Sequence, residues 1–267
     1  MYQPESVPTD AKIRKFIRRI LFGKNLFCPE CKSRNITRYE SRFRCRSCRC
    51  KFSLLSHTWL SNLKIPLKFF WLIIWCFTAQ IPVKQAVAIS GLSQKAVRYW
   101  YSTFRNNLPK EKVILEAIVQ LDEAYFGGWK GRSLLMAKQK GTRKLAYKIL
   151  NHTQPSRLDA WQFLKGNVKP GSILCTDGFS IYQGIEKLYP VAHIVDINKS
   201  WEFGKTSEIE GIFGNLRTFI RRMYHHVTSE KLEEMVSEFS FRFSHPEIFK
   251  NPRIFLQITL CLVPTGY

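Results

Sequence analysis

The chain has 267 residues, 45% of them apolar and 14% aromatic, which is enough bulk for a packed core and excludes wholesale disorder. Lys and Arg number 42 against 20 Asp and Glu, a formal net charge of +22, and an excess of that size calls for a polyanionic partner. The excess is uneven: residues 1–60 hold 14 basic and 4 acidic side chains, residues 61–110 hold 7 and none, and residues 111–267 hold 21 and 16.

Residues 1–25 contain a short amphipathic basic helix, Ala11–Phe22, rather than the apolar core of a signal peptide. The longest apolar run, Leu67–Ala79, contains Lys68 and is shorter than the roughly 20 residues a membrane span needs. It reads as a buried helix. The expected location is therefore the cytoplasm, on the nucleoid when bound to DNA. Eight cysteines without a secretory signal point to metal binding rather than a disulfide framework.

Within residues 26–55, Cys28, Cys31, Cys45 and Cys48 are spaced C-x2-C-x13-C-x2-C. Two strand-like pieces, Ile36–Glu40 and Arg42–Arg44, lie between the pairs. This is the pattern of a zinc ribbon, with four thiolates holding one Zn²⁺ in a tetrahedron. A segment this short cannot fold on its apolar burial alone, so metal binding would supply its folding energy. Cys50 is a nearby spare, and Cys76, Cys175 and Cys261 lie in apolar runs and are expected to be buried.

Residues 56–110 read as helices. Pro66 opens one at its first position. Pro82–Ser90 forms a second, ended by Gly91, and Ser93 caps a third over Gln94–Asn106. Helix, glycine turn and capped helix make a helix-turn-helix pattern, and the absence of acids from 61 to 110 favours DNA contact. Lys95, Arg98 and Arg105 are the expected DNA-facing side chains, with Arg98 and Arg105 exposed; Val97, Trp100, Tyr101 and Phe104 are the packing face.

Residues 111–250 change pattern. Strands are expected at Leu115–Asp122, Ser133–Gln139 and Lys144–Asn151, a helix at Arg157–Val168, and a strand at Ser172–Thr176. A helix at Ile181–Leu188, a strand at Val191–Ile197 and helices at Thr206–Arg222 and Ser229–Phe243 follow. That order matches an α/β fold of the RNase H-like kind, with a mixed sheet. Residues 251–267 read as a C-terminal tail.

Three acidic positions fall where such a sheet would use them. Asp122 ends an apolar strand, and Asp177 ends another. Their strands would be neighbours, and a helix beginning at Thr206 offers Glu208 or Glu210. On a helical wheel Glu210 shares its edge with Gly214, Arg217 and Arg221, which favours it over Glu208. Glu123 would point to the opposite face of the strand from Asp122. Converging carboxylates repel unless a divalent cation neutralises them, and hard oxygen donors select Mg²⁺ or Mn²⁺. Two such ions about 4 Å apart can drive phosphodiester chemistry. Arg217, Arg221 and Arg222 suit phosphate contact. Trp129 and Lys130 would lie within reach of a splayed DNA end, and His225 and His226 form a pair after the long helix.

Several blocks run in order over nearly the whole chain: the cysteine pairs, the helix-turn-helix, Leu121–Gly128 (LDEAYFGG), Thr176–Tyr182 (TDGFSIY), Ser207–Phe213 (SEIEGIF), Tyr224–Val227 (YHHV) and Glu238–Phe243 (EFSFRF). Together they resemble an ISXO-type insertion-sequence transposase. The resemblance implies a DDE-type DNA transposase with Asp122, Asp177 and Glu210 as catalytic acids, acting as an oligomer on DNA. Ser207 stands where this family usually has Asn, and Phe243-Ser244 where it more often has an aromatic residue and Asn.

Two functions are then in competition. One is an enzyme that binds terminal inverted repeats and carries out metal-dependent hydrolysis and strand transfer. The other is a zinc-dependent DNA-binding protein derived from a transposase, with a dead core. Metal-dependent cleavage separates them.

Overall fold

The structure is a computed structural model that describes residues 7–127, 131–196, 206–224, 228 and 230–262. Trp129, Lys130, His225 and His226 lie outside the described residues. The chain divides into two compact units, Met1–Pro109 with Glu247–Tyr267, and Lys110–Pro246.

In the first unit, helix α1 (Asp10–Phe22) starts at Thr9, whose hydroxyl accepts from the Lys12 N–H, and buries Ile13, Ile17 and Leu21 at four-residue spacing. Strands β1 (Ile36–Tyr39), β2 (Arg42–Cys45) and β3 (Lys51–Phe52) form an antiparallel sheet in that order. The apolar run becomes α2 (Leu67–Thr78), buried over most of its circumference. Pro66 sits at its N-cap, one residue earlier than expected, and contributes no side-chain hydrogen bond. Asp10 of α1 serves instead, accepting from the Lys68 N–H at 2.9 Å. Among the described residues no helix is long and apolar enough to cross a membrane.

Helices α3 (Val83–Ser90) and α4 (Gln94–Asn106) flank Gly91, whose φ of +69° is a left-handed value that favours glycine. Ser93 accepts from the Ala96 N–H at 3.2 Å, as the cap pattern requires. Phe104 on α4 lies with its ring centre 5.2 Å from Phe77 and 5.6 Å from Phe255. Phe255 belongs to α8 (Pro252–Thr259), capped by Asn251. The segment read as a tail thus contains a helix of the aromatic core, and the Trp59 indole N–H donates to the Thr259 carbonyl at 2.8 Å. Its apolar spacing over Ile254–Ile258 is short, and only its partners make it a stable helix.

The second unit is a five-stranded sheet in the order β6-β5-β4-β7-β8. The strands are β4 (Ile118–Phe126), β5 (Arg132–Gln139), β6 (Leu145–Ile149), β7 (Ile173–Thr176) and β8 (Ala192–Val195). The first three along the chain pair antiparallel; β7 and β8 run parallel to β4. This is the mixed sheet expected of an RNase H-like core. Helix α5 (Arg157–Asn167) covers one face, where Val119, Leu121, Leu135, Leu174, Phe163 and Tyr182 share a core. Helix α6 (Ser207–Tyr224) lies against β4 and β5, and α7 (Leu232–Ser244) against β6.

Three expectations change. Strand β4 runs to Phe126 rather than ending at Asp122, because its pairing with β5 continues to Phe126 opposite Arg132. Ile181–Leu188 is not a helix but two short 3₁₀ turns, Ser180–Tyr182 and Ile185–Lys187, separated by Gly184 at φ +71°. Helix α7 begins at Leu232. It carries a buried pair: Arg242 Nε donates to Glu238 Oε1 at 2.8 Å, and Tyr224 of α6 donates to Glu238 Oε2 at 3.0 Å. Arg242 and Glu238 bury opposite charges together within α7, and the Tyr224 bond to Glu238 ties α6 to it.

Candidate active site and metal centre

The four expected cysteines come together. Cys28, Cys31, Cys45 and Cys48 have their sulfurs within 4.8 Å of one another. The closest pairs are Cys28–Cys48 at 3.5 Å and Cys31–Cys45 at 3.6 Å. Sulfurs of a tetrahedron with Zn–S bonds of about 2.3 Å stand about 3.8 Å apart, so the tetrad has the size for zinc. Each Cys-x2-Cys pair is followed by a residue in left-handed conformation, Lys32 at φ +61° and Arg49 at φ +62°. The two knuckles therefore turn alike. The Cys48 backbone N–H, pointing at Cys45, lowers that thiol to about 6, whereas burial and bonds among the thiols raise Cys31 and Cys48 in the metal-free tetrad. Cys50 is outside the tetrad; its carbonyl accepts from the Cys45 N–H, and burial pushes its thiol up to about 11. Cys76 and Cys175 are buried as expected, but Cys261 is exposed. It follows Leu260 beyond the end of α8, where the apolar run no longer faces a core.

The acidic site grows out of the sheet. The β4–β7 ladder covers Ile118–Gln120 and ends at Cys175. Beyond it β4 continues beside β5, and the chain leaving β7 turns at Asp177, whose Oδ1 accepts from the Phe179 N–H at 3.1 Å. Asp122 and Asp177 thus flank the point where the two strands part. Alternation puts Asp122 with Gln120 on the α6 face, and there Gln120 accepts from the Ile209 N–H at 3.1 Å.

Asp122, Glu123 and Asp177 bring carboxylate oxygens within 4.8 Å of one another. Burial raises the Asp122 carboxyl to about 6, and the charges of Asp177 and Glu210 push the same way; the Glu123 N–H, at 2.8 Å, and Arg217 oppose them. Burial also raises Glu123 to about 7, against a hydrogen bond from the Tyr182 hydroxyl at 2.7 Å. Half-buried oxygens that repel one another are a donor set for a hard divalent cation.

The place of Glu123 differs from the expectation. It does leave β4 on the α5 face, where Tyr182 lies. Past Gln120 no β7 ladder closes that edge, and the long side chain reaches round it to the aspartates. The adjacent Asp-Glu pair is a signal in the sequence, but only the early end of the ladder gives it meaning.

The two candidate glutamates of α6 are also told apart. Glu208 forms an ion pair with Lys138, a buried lysine of β5, which holds its carboxyl below the usual range. Glu210 is exposed, accepts from Thr206 Oγ1 at 3.2 Å, and acts by charge on Asp122. It is not in the tight group of three. Arg217, Arg221 and Arg222 are exposed on the same helix. On α4, Lys95 and Arg98 are exposed, whereas Arg105 is half-buried because it flanks the inward stripe of Tyr101 and Phe104.

Residues 114–244 match the family model of the ISXO2-like transposase domain. Among curated proteins none matches the chain. Among solved structures, one similar chain is described as the cryoEM structure of the simian T-cell lymphotropic virus intasome in complex with PP2A regulatory subunit B56 gamma. It is 9% identical, with a TM-score of 0.31 and 59% of this chain covered. The match spans 59% of that chain's length. The matched segment, which holds the five-stranded sheet, Asp122, Asp177 and Glu210, is similar to the ISXO2-like domain of insertion-sequence transposases of the DDE type.

Proposed function

We propose that this protein is a DNA transposase that binds the terminal inverted repeats of its element, hydrolyses a phosphodiester at each end, and joins the freed 3′-hydroxyl to target DNA. The observation that carries the reading is the meeting of Asp122 and Asp177 where β4 and β7 part, with the charge of Glu210 bearing on Asp122, inside a transposase-family segment.

In this reading Asp122, Asp177 and Glu210 hold Mg²⁺ or Mn²⁺, and Cys28, Cys31, Cys45 and Cys48 hold a structural Zn²⁺. Divalent ions at the acids would supply charge neutralisation at the phosphodiester and a deprotonated oxygen nucleophile at neutral pH. The chain's own part is placement: Gln120 fixes the start of α6 against β4, Lys138 occupies Glu208, and Glu210 is left to the acids. Arg217, Arg221 and Arg222 bind phosphates along α6. Lys95, Arg98 and Arg105 contact DNA from α4, residues 26–55 and 56–110 being the ribbon and helix-turn-helix modules. Two ends require two copies, so the working form is a homo-oligomer on DNA.

The test uses full-length protein, labelled DNA bearing the repeats that flank its gene, and Mg²⁺ or Mn²⁺. Nicks at the repeat ends and joined products are expected, both lost on addition of EDTA and in Asp122→Asn and Glu210→Gln. Binding without cleavage by folded, zinc-loaded protein would overturn the enzyme reading. It would favour the DNA-binding relic suggested by Ser207.

A further inference from the structure

The DDE reading uses one carboxylate of the Asp122-Glu123 pair. Glu123 nevertheless lies with Asp122 and Asp177 in one group of oxygens, which Glu210 does not join. Its placement is not that of a surface glutamate. Tyr182, entirely buried in the α5-side core, donates its hydroxyl to Glu123 Oε2 at 2.7 Å. That bond engages one carboxylate oxygen and holds the group from the core side of the strand.

A carboxylate at the free edge of a strand has water available in other rotamers. This one is held instead beside two others of its own charge. Among the described residues none of the three is in an ion pair, whereas Glu208, on the same face as Asp122, is paired with Lys138. An anion cluster fixed from behind by a buried donor, and paired with no described cationic side chain, has room in its charge balance for a divalent ion.

We propose that Glu123 is a fourth carboxylate of the active site, a divalent-cation ligand acting with Asp122 and Asp177, and that Tyr182 is its positioning residue. The inference rests on the transposase reading above. It adds a carboxylate that approaches the aspartates from the α5 face of β4, while Glu210 approaches from the α6 face. The short 3₁₀ turn Ser180–Tyr182 carries Tyr182 from the loop after Asp177 back under Glu123, so one loop supplies both a ligand and the anchor of another.

The experiment measures Mg²⁺ and Ca²⁺ binding by calorimetry, melting temperature with and without each ion, and cleavage against Mg²⁺ concentration. Full-length wild type, Glu123→Gln, Tyr182→Phe and Asp122→Asn are compared. Expected for Glu123→Gln are a ~10- to 100-fold higher half-saturating Mg²⁺ concentration, a smaller rise in melting temperature with Ca²⁺, and a higher melting temperature without metal. Tyr182→Phe keeps the ring's packing and should weaken Mg²⁺ binding by about 10-fold, a readout that a purely structural tyrosine would not move. Wild-type Mg²⁺ titrations in both variants, with Asp122→Asn losing binding, would overturn the role of Glu123 and leave the transposase reading standing. No cation response even in the wild type would overturn both.

Discussion

The cysteine tetrad and the carboxylate cluster both gather like charges, and they rest on different foundations. The thiols come from residues 28–48, each pair on its own tight turn, above a sheet whose last strand is Lys51–Phe52. Their apolar support is slight: Phe43 and Phe52 face each other at 5.6 Å, and Phe52 leans on Phe22 of α1 at 6.3 Å. The clustered carboxylates come from β4 and from the loop after β7, with Glu210 of α6 acting on Asp122 by charge, above a core that includes Leu121, Leu135, Phe163 and Leu174. With zinc at the tetrad as proposed, the first fold would depend on its ion. In the second the fold is complete and holds a repulsion that a divalent ion would relieve. Metal removal should therefore act on the two regions in different ways.

The largest effect is expected at the tetrad. Structural zinc sites of this kind contribute an apparent ~10–16 kcal/mol, far more than so small a sheet gains from its own burial. Cys45→Ser removes a buried ligand at the end of β2. Zinc content should fall from one ion to none per chain, and limited proteolysis should then cut between residues 26 and 55 while the segment 110–246 survives. A protease-resistant ribbon in the zinc-free variant would show that the aromatic packing alone suffices.

At the acids the effect should be smaller and of the opposite kind. Burial and neighbouring charge raise Asp122 from 3.8 to about 6 and Glu123 from 4.5 to about 7. A carboxyl raised on folding binds more protons in the folded state, so stability falls as pH rises through the interval between the two values. For metal-free protein the loss should begin near pH 4 and be complete near pH 7, and it should be of order 2–3 kcal/mol, since the two groups are coupled and do not add. The measurement is the melting temperature between pH 4.5 and 8 in EDTA and again in Mg²⁺. Mg²⁺ should flatten the curve. A melting temperature that climbs over this range in EDTA would mean the carboxylates are not under strain.

The same contrast explains what is legible in the sequence. The cysteine spacing is local, and so are Ser93 before α4, Gly91 after α3 and the apolar run of α2; each needs only its neighbours along the chain. The order of strands and helices is legible enough to bring Asp122 and Asp177 to one edge. The rest is decided by the fold. Alternation puts Glu123 on the α5 face correctly, but it cannot show that the side chain meets the aspartates past the end of the β4–β7 ladder. Helix α8 depends on Trp59 and Phe104, far away in sequence. Ile181–Leu188 is split because Gln183 is extended and ends the first turn, and left-handed Gly184 then opens the second, where apolar spacing alone would continue one helix.

The finest comparison lies within one turn of α6. Glu208 and Glu210 have the same chemistry and are two residues apart, and the sheet gives them different work. Lys138 is almost wholly buried and its charge is answered by Glu208. Glu208→Gln would leave that ammonium without its counter-charge and should cost about 1–3 kcal/mol, less than for a fully buried pair because Glu208 itself is 35% exposed. Cleavage at a temperature well below melting should stay within a few-fold of wild type, because Gln can still accept a hydrogen bond from Lys138. Glu210→Gln touches an exposed residue with a single hydroxyl partner and should change stability by no more than about 0.5 kcal/mol, while abolishing cleavage. Chemical denaturation and end-cleavage assays on the two variants check both halves. If Glu208→Gln abolished cleavage and Glu210→Gln did not, the helix would present its other edge to the acids. The pairing with Lys138 would then be a resting arrangement that DNA displaces.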